Sequence, residues 1–154
     1  MNKKVIIGLL VFVCALGAAT LFDYVRSLGI DIELSAQEPA VVHADPNVPV
    51  RLTLRVTKDG RPVSGHDITG LVVGAGNLRA DKATTDADGQ VSFEYFPYSY
   101  LKGIQEEGRV RIRFKDVSDS IFVAIQQPKD VELNVLKPEQ ATESKHNMND
   151  IFGE

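Results

Sequence analysis

Asp86, Asp88 and Gly89, in the stretch TTDADGQ, have the residue types of a calcium-binding loop. A loop of the EF-hand kind needs oxygen ligands spread over twelve residues and a bidentate acid at its end. Asp81 lies five positions before Asp86, but Glu94 falls inside an alternating strand pattern, so too few ligands converge. Asp and Gly also suit a tight turn, in which the Asp side chain accepts hydrogen bonds from nearby amides. We therefore interpret the stretch as a turn that leads into a strand.

The stretch SGHD supplies Ser64, His66 and Asp67, which are the residue types of a hydrolytic triad. A triad requires the base to bridge the nucleophile and the acid, whereas neighbours in an extended segment point apart. The other histidines, His43 and His146, are scattered, and the single cysteine lies in an apolar run, so a zinc site is also poorly supported. We expect no catalytic centre, no metal and no cofactor, and predict that the protein is not an enzyme.

A row of basic residues is the first candidate for binding. Arg109, Arg111 and Arg113 project from one side of a predicted strand, and Arg51 and Arg55 project from another. If the two strands share a sheet, they form a positive surface that would meet anionic lipid headgroups, envelope polymers or an acidic partner. The alternative is a solvated face whose arginines pair with acids on neighbouring strands.

A group of aromatic residues is the second candidate. Tyr98 and Tyr100 follow Tyr95 and Phe96 in the densest aromatic segment of the chain. Aromatic side chains in an exposed loop are good interface anchors. The alternative is that some belong to the core and that one tyrosine ties down a loop, as in the Ig tyrosine corner. Tyr98, Tyr100 and the three arginines from Arg109 to Arg113 are therefore our candidate partner-binding residues.

The elements that position these residues are short strands. In VPVRLTLRVT, apolar and polar residues alternate strictly over ten positions, which is typical of a strand with one buried face. No segment from residue 30 to residue 126 shows a sustained helical period. The pattern predicts an all-β, Ig-like Greek-key β-sandwich of about seven strands. Further candidate strands are residues 91–95, 109–115 and 121–125, shorter ones are 30–34, 41–43, 71–73 and 78–82, and one more is 131–136.

An apolar run of 18 residues, Val5 to Phe22, precedes the strands. As a helix it is about 27 Å long at ~1.5 Å per residue, close to a hydrocarbon core of roughly 30 Å. We expect a retained membrane anchor, and Lys3 and Lys4 favour an N-terminus in the cytoplasm. The alternatives are a signal peptide cut after Ala19 and a lipoprotein acylated at Cys14, but the bulky residue before that cysteine disfavours acylation.

Charge and composition restrict the partners. The chain has 154 residues and a formal charge of −4. Removing the first 22 residues takes away two lysines and no acid, which leaves 15 basic and 21 acidic groups, a net charge of −6. An acidic exterior argues against nucleic acid. We divide the chain into an anchor and linker (1–29), a sandwich (30–136) and a disordered tail (137–154).

Two turn motifs stand about twenty residues apart, DGRPVSG and TTDADGQVSF. Together they resemble the bacterial Ig-like repeats of the invasin/intimin type, the Big-1 family, over roughly residues 30 to 126. Such repeats usually occur in tandem, whereas this chain has one copy, and its segment 96–108 is longer than a plain turn. The resemblance implies the fold and export, and it implies that the motif residues are structural turns: Asp59, Gly60, Pro62, Gly65, Asp86 and Gly89.

These features predict a membrane-anchored, extracytoplasmic Ig-like module that binds a protein partner without catalysis. We expect it in a bacterial cell-envelope or surface assembly, crossing the cytoplasmic membrane once at Val5–Phe22, with its Ig-like domain periplasmic or extracellular. The alternatives are a structural spacer, a small surface adhesin and a prealbumin-like carrier domain.

Overall fold

The N-terminal element is a helix, α1, from Lys3 to Ser27. The structure is a computed structural model, which describes residues 3–106, 108–118 and 127–138. The helix continues past the apolar run into DYVRS, and the chain then leaves the helical conformation at Gly29, whose φ is 78°. Among the described residues, α1 is the one helix long and apolar enough to cross a membrane.

Ten strands follow the helix in the described part of the chain, and four of them are only two or three residues long. The predicted strand at residues 121–125 lies outside the described residues. The single strand predicted at 78–82 is wrong, because two short strands, β6 and β7, take its place in different sheets. The strands are β1 (Ile30–Glu38), β2 (Val42–His43), β3 (Val50–Lys58), β4 (Arg61–Pro62), β5 (Asp67–Val73), β6 (Asn77–Leu78), β7 (Lys82–Thr84), β8 (Gln90–Phe96), β9 (Gly108–Asp116) and β10 (Lys129–Leu136).

The strands form two five-stranded sheets. Sheet A has the order β1-β3-β8-β6, with β4 paired to β3, and sheet B has the order β2-β10-β9-β5-β7. Neighbours are antiparallel except β2 and β10, which are parallel. The chain passes repeatedly between the sheets, which is the connectivity of a Greek-key sandwich. The predicted all-β, Ig-like sandwich behind an apolar helix is confirmed.

The core lies between the two sheets and explains the alternation of the sequence. In β3, every second residue from Val50 to Val56 is buried, and β8 and β9 show the same pattern. Phe93 of β8 and Phe114 of β9 meet across the core, with ring centroids 5.0 Å apart. Each such side chain contributes about 1.5–3 kcal/mol through removal from water, so the inward faces hold the sandwich together without a disulfide.

The strand register defines two ends of the sandwich. Ile30 lies opposite Lys58, so the start of β1 and the end of β3 share the end next to α1, which we call the proximal end. Val50 lies opposite Tyr95 at the other end, the distal end. The loops 39–49, 74–76 and 97–106 lie at the distal end, whereas the turns 59–66 and 85–89 lie at the proximal end.

Hydrogen bonds attach the helix to the proximal end. The amide of Asp59 donates to the Gly29 carbonyl at 2.8 Å, and Lys58 Nζ donates to the Arg26 carbonyl at 2.9 Å. Asp23, on the last turns of α1, is fully buried. The two turns therefore lie at the same end of the sandwich as the helix, and the aromatic segment lies at the opposite end.

Candidate binding surfaces

The TTDADGQ segment is a turn held by its own aspartate. The carboxylate Oδ1 of Asp86 accepts hydrogen bonds from the amides of Asp88 and Gln90, at 2.9 and 2.8 Å. The Asp86 amide donates to the Gln90 carbonyl at 2.8 Å, which closes the turn before β8. This carboxylate oxygen therefore has the local role that the turn interpretation gives it. Among the described residues, no group of three or more His, Cys, Asp and Glu side chains is placed to hold a metal.

Thr85 joins this turn to the DGRPVSG motif. Its hydroxyl donates to the Val63 carbonyl at 2.7 Å and accepts from the His66 amide at 2.9 Å. Its carbonyl accepts from the Gly65 amide at 3.0 Å, and its amide donates to the His66 carbonyl at 2.8 Å. The two turn motifs therefore satisfy backbone groups of each other.

The histidine of SGHD has a carboxylate partner that is distant in the sequence. His66 Nδ1 donates to Asp116 Oδ2 at 2.6 Å, and Asp116, at the end of β9, is only 1% exposed. Asp67 instead pairs with Lys82 at 2.7 Å and accepts from the Thr84 hydroxyl at 2.8 Å. The structure therefore joins His66 to Asp116 rather than to Asp67, and sequence spacing gave no signal for this pair because 50 residues separate its members.

The basic rows lie in different sheets. Arg51 and Arg55 are on β3 in sheet A, whereas the arginines of β9 are in sheet B, so they do not form one positive surface. Arg113 makes a bidentate pair with Asp130, at 2.8 and 3.0 Å, and Arg111 donates to Glu132 at 3.1 Å. The alternative of a solvated face with cross-strand partners therefore describes these two arginines.

Arg109 differs from the other two arginines of its row. It lies opposite Asn134 on β10, and the amide side chain of that residue carries no charge. Within residues 3–106, 108–118 and 127–138, Arg109 forms no ion pair. It borders a cleft of about 330 Å³ together with Val73, Arg111 and Glu132. Of the three predicted arginines, Arg109 is the one left available to an acidic group from outside.

The ion pairs of the strands change the pKa values of their carboxyl groups. The hydrogen bond from Arg113 holds the pKa of Asp130 below its ordinary value of 3.8. Bonds from Arg79 and from Lys82 lower the pKa values of Glu94 and Asp67 in the same way. All three carboxyl groups are solvent-accessible, so each contributes modestly to stability.

The lowered pKa of Asp130 predicts a pH dependence. A carboxyl group with a lowered folded-state pKa stabilises the fold above its unfolded-state pKa, and this stability is lost as the pH falls through the folded-state value. We expect the melting temperature of Asp130→Asn to fall less than that of the parent between about pH 6 and about pH 3. Asp88→Asn is the matched control and should follow the parent. Equal acid sensitivity of parent and Asp130→Asn would contradict the prediction.

The tyrosines of the aromatic segment face the sandwich more than the solvent. Tyr95 is fully buried, and its hydroxyl donates to the Ala75 carbonyl at 2.7 Å; burial raises its pKa well above the ordinary range. Tyr98 and Tyr100 pack partly buried against the core, and the Tyr98 hydroxyl donates to the Glu106 carbonyl at 2.7 Å. Tyr98 therefore anchors the loop, as in the second of the two alternatives. An interface role for Tyr98 and Tyr100 stays a prediction.

The sequence pattern did not reveal a group of exposed apolar side chains at the distal end. Ile104 is 85% exposed at the tip of the loop after Tyr100, and Leu101 is half exposed beside it. Val41 and Val48 are exposed on the neighbouring loop, which bonds to this one through the Tyr100 amide and the Ala44 carbonyl at 3.3 Å. The signal in the sequence for an exposed side chain was the stretch YLKGIQ, in which the apolar Ile104 directly follows a Lys-Gly turn.

Comparisons with known proteins show that the fold of this chain is similar to that of solved structures. No family model and no curated protein matches the chain. The "D00-D0 domain of Intimin" aligns with a TM-score of 0.52 at 16% identity, covering 70% of this chain and 46% of that structure. The "D0-D1 domain of Intimin" gives 0.46 at 21% identity, with 68% and 46% covered. A C-terminal intimin fragment in complex with its translocated receptor gives 0.48 at 19% identity, with 68% and 32% covered.

This chain spans less than half the length of each of these three structures. At identities below 25%, the alignments bear on architecture alone. The alignment with the D00-D0 domain agrees with the two-sheet sandwich described above. The chain has an Ig-like β-sandwich fold, similar to that of the D00-D0 domain of intimin.

Proposed function

We propose that this protein is a membrane-anchored, extracytoplasmic binding module that holds a protein partner at its distal end, in a bacterial envelope or surface assembly. The observation that carries the proposal is the exposure of Leu101, Ile104, Val41 and Val48 on two loops at the end opposite α1. Clustered exposed apolar side chains are typical of protein interaction sites. Loops at the end of a rigid sandwich often bind partners.

The position of the helix supports this arrangement. α1 joins the proximal end through Asp59 and Lys58, so an anchored domain would direct the loops 39–49 and 97–106 away from the membrane. Tyr98 and Tyr100 would then hold the loop 97–106 against the core. Leu101 and Ile104 would contact the partner. This proposal assigns the tyrosines a positioning role in the binding surface.

The proposal predicts that Ile104→Asp abolishes the complex without unfolding the domain. A charge at the tip would lose its hydration on binding, whereas in the free protein it stays in water, so the melting temperature should stay within about 2 °C. The measurement is recovery of a cross-linked partner from native membranes, quantified by mass spectrometry. Lys102→Ser, in the same loop, is the matched control and should retain the complex.

The competing roles give different results. A structural spacer would keep its function with Ile104→Asp, because it has no partner at the tip. A small surface adhesin would lose binding to a foreign surface and yield no partner from its own membrane. Full recovery of the partner with Ile104→Asp would refute the distal-end assignment.

A further inference from the structure

The two outer faces of the sandwich differ in polarity. Among the described residues, the strands of sheet A expose no large apolar side chain on their outer face. Sheet B exposes three, of which Leu71 is 61% and Val73 46% accessible, and Leu136 is the third. All three project outward, because their strand neighbours in the alternation point into the core. The core between the sheets does not require apolar residues at these outward-facing positions.

Charge pairing divides the outer face of sheet B into two halves. The proximal half is internally neutralised, with Arg113 paired to Asp130 and Lys82 paired to Asp67. The distal half contains Arg109, opposite the neutral Asn134. Within the described residues this guanidinium forms no ion pair, and it lies in the same half of the face as Val73 and Leu136, with Leu71 at the border to the proximal half. We call Leu71, Val73, Arg109 and Leu136 the sheet B patch.

The register places Leu71, Val73 and Arg109 near one another, and Leu136 follows Val135, which lies opposite Gly108. Leu71 lies opposite Arg113, and Val73 lies opposite Arg111, which is two residues from Arg109 on the same face of β9. Val73 and Arg109 both line the cleft of about 330 Å³. The cleft is large enough for a side chain of a partner. Its lining combines aliphatic side chains, guanidinium groups and one carboxylate, that of Glu132, which is already paired with Arg111.

We propose that the sheet B patch binds a second region of a protein partner, through an aliphatic side chain against Leu71 and Val73 and a carboxylate against Arg109. The proposal rests on the binding role assigned above and extends it from the loop tips to one face. An arginine is suited to a carboxylate, since its planar group donates two parallel hydrogen bonds. Exposed aliphatic side chains beside an arginine fit the apolar centre and charged rim of an interface.

The test introduces a photo-cross-linking amino acid at Val73 in the full chain, in native membranes, with Thr53 on the outer face of sheet A as the control position. We expect an adduct at Val73 and none at Thr53. Mass spectrometry should map the adduct to a peptide of another protein that contains Asp or Glu. Arg109→Glu should reduce the adduct at least about tenfold, and replacing the mapped acid of the partner with Lys should restore it.

The outcomes separate this inference from the proposed function. If Ile104→Asp abolishes the complex but Arg109→Glu leaves the Val73 adduct unchanged, distal-end binding stands and the sheet B patch is refuted. An adduct to lipid, or to a second copy of this chain, also overturns the inference. If no partner is captured from either surface, both proposals fail. Arg109→Gln, which removes the charge without reversing it, should give an intermediate loss at an unchanged melting temperature.

Discussion

Gly89→Ala should lower the free energy of unfolding by about 3 kcal/mol. Gly89 has a φ of 72°, a left-handed conformation that costs an L-residue about 1–2 kcal/mol. A Cβ at this position would also lie 2.5 Å from the carbonyl oxygen of Val56 and 3.0 Å from Pro62 Cβ. That oxygen belongs to a core strand and cannot move without disturbing the bond from the Val56 amide to the Gly89 carbonyl, which is 2.8 Å long.

Gly60→Ala is the matched control for this prediction. Gly60 has nearly the same φ, 77°, but a Cβ there would meet no atom within 4 Å. It should therefore lose only the backbone cost of about 1–2 kcal/mol. Chemical denaturation of both variants measures the difference. Equal losses would show that the close contact of a Cβ at position 89 with Val56 and Pro62 adds no cost.

His66→Ala should lower the free energy of unfolding by a similar amount, about 3 kcal/mol. The substitution leaves the carboxylate of Asp116 buried, and within the part of the chain that the structure describes its remaining partner is the Ser118 amide, at 2.9 Å. A buried charge that loses its partner carries an uncompensated desolvation cost. The bonds from His66 to Thr85 use the backbone of His66 and are retained in this variant, so the loss reports on the side-chain pair.

A double-mutant cycle isolates the pair. His66→Ala combined with Asp116→Ala removes the buried charge together with its partner, so the double variant should be more stable than the sum of the single losses predicts. The coupling energy should be at least about 1 kcal/mol. Strict additivity in urea denaturation would mean that the 2.6 Å contact between the two side chains does not stabilise the fold.

Features that depend on near neighbours were predictable from the sequence. The role of Asp86 requires only amides two and four residues later, and the alternation in β3 directly identifies its buried face. The turn residues from Asp59 to Gly65 were likewise identified by type, and Asp59 and Gly60 do adopt positive φ. Local chemistry determines these features, so one sequence is sufficient.

Features that depend on strand order were not predictable. Arg55 and Arg109 could share a surface only if β3 and β9 belonged to the same sheet. The alternation of apolar and polar residues does not reveal to which sheet a strand belongs. GLVVG is apolar at every central position, so the pattern could not show that Leu71 points to solvent. The partner of His66 is on β9, at the far end of another predicted strand. The candidate surfaces therefore followed from the topology.

Photo-cross-linking from single positions of the anchored protein, in its native membrane, is the decisive experiment for binding at the distal end. With the photoreactive residue at Ile104, we expect an adduct to one defined protein. With the residue at Thr53, on the polar outer face of sheet A, we expect none. Equal adducts at the two positions, or an adduct at Thr53 alone, would contradict the claim that the distal end is the surface through which this module binds its partner.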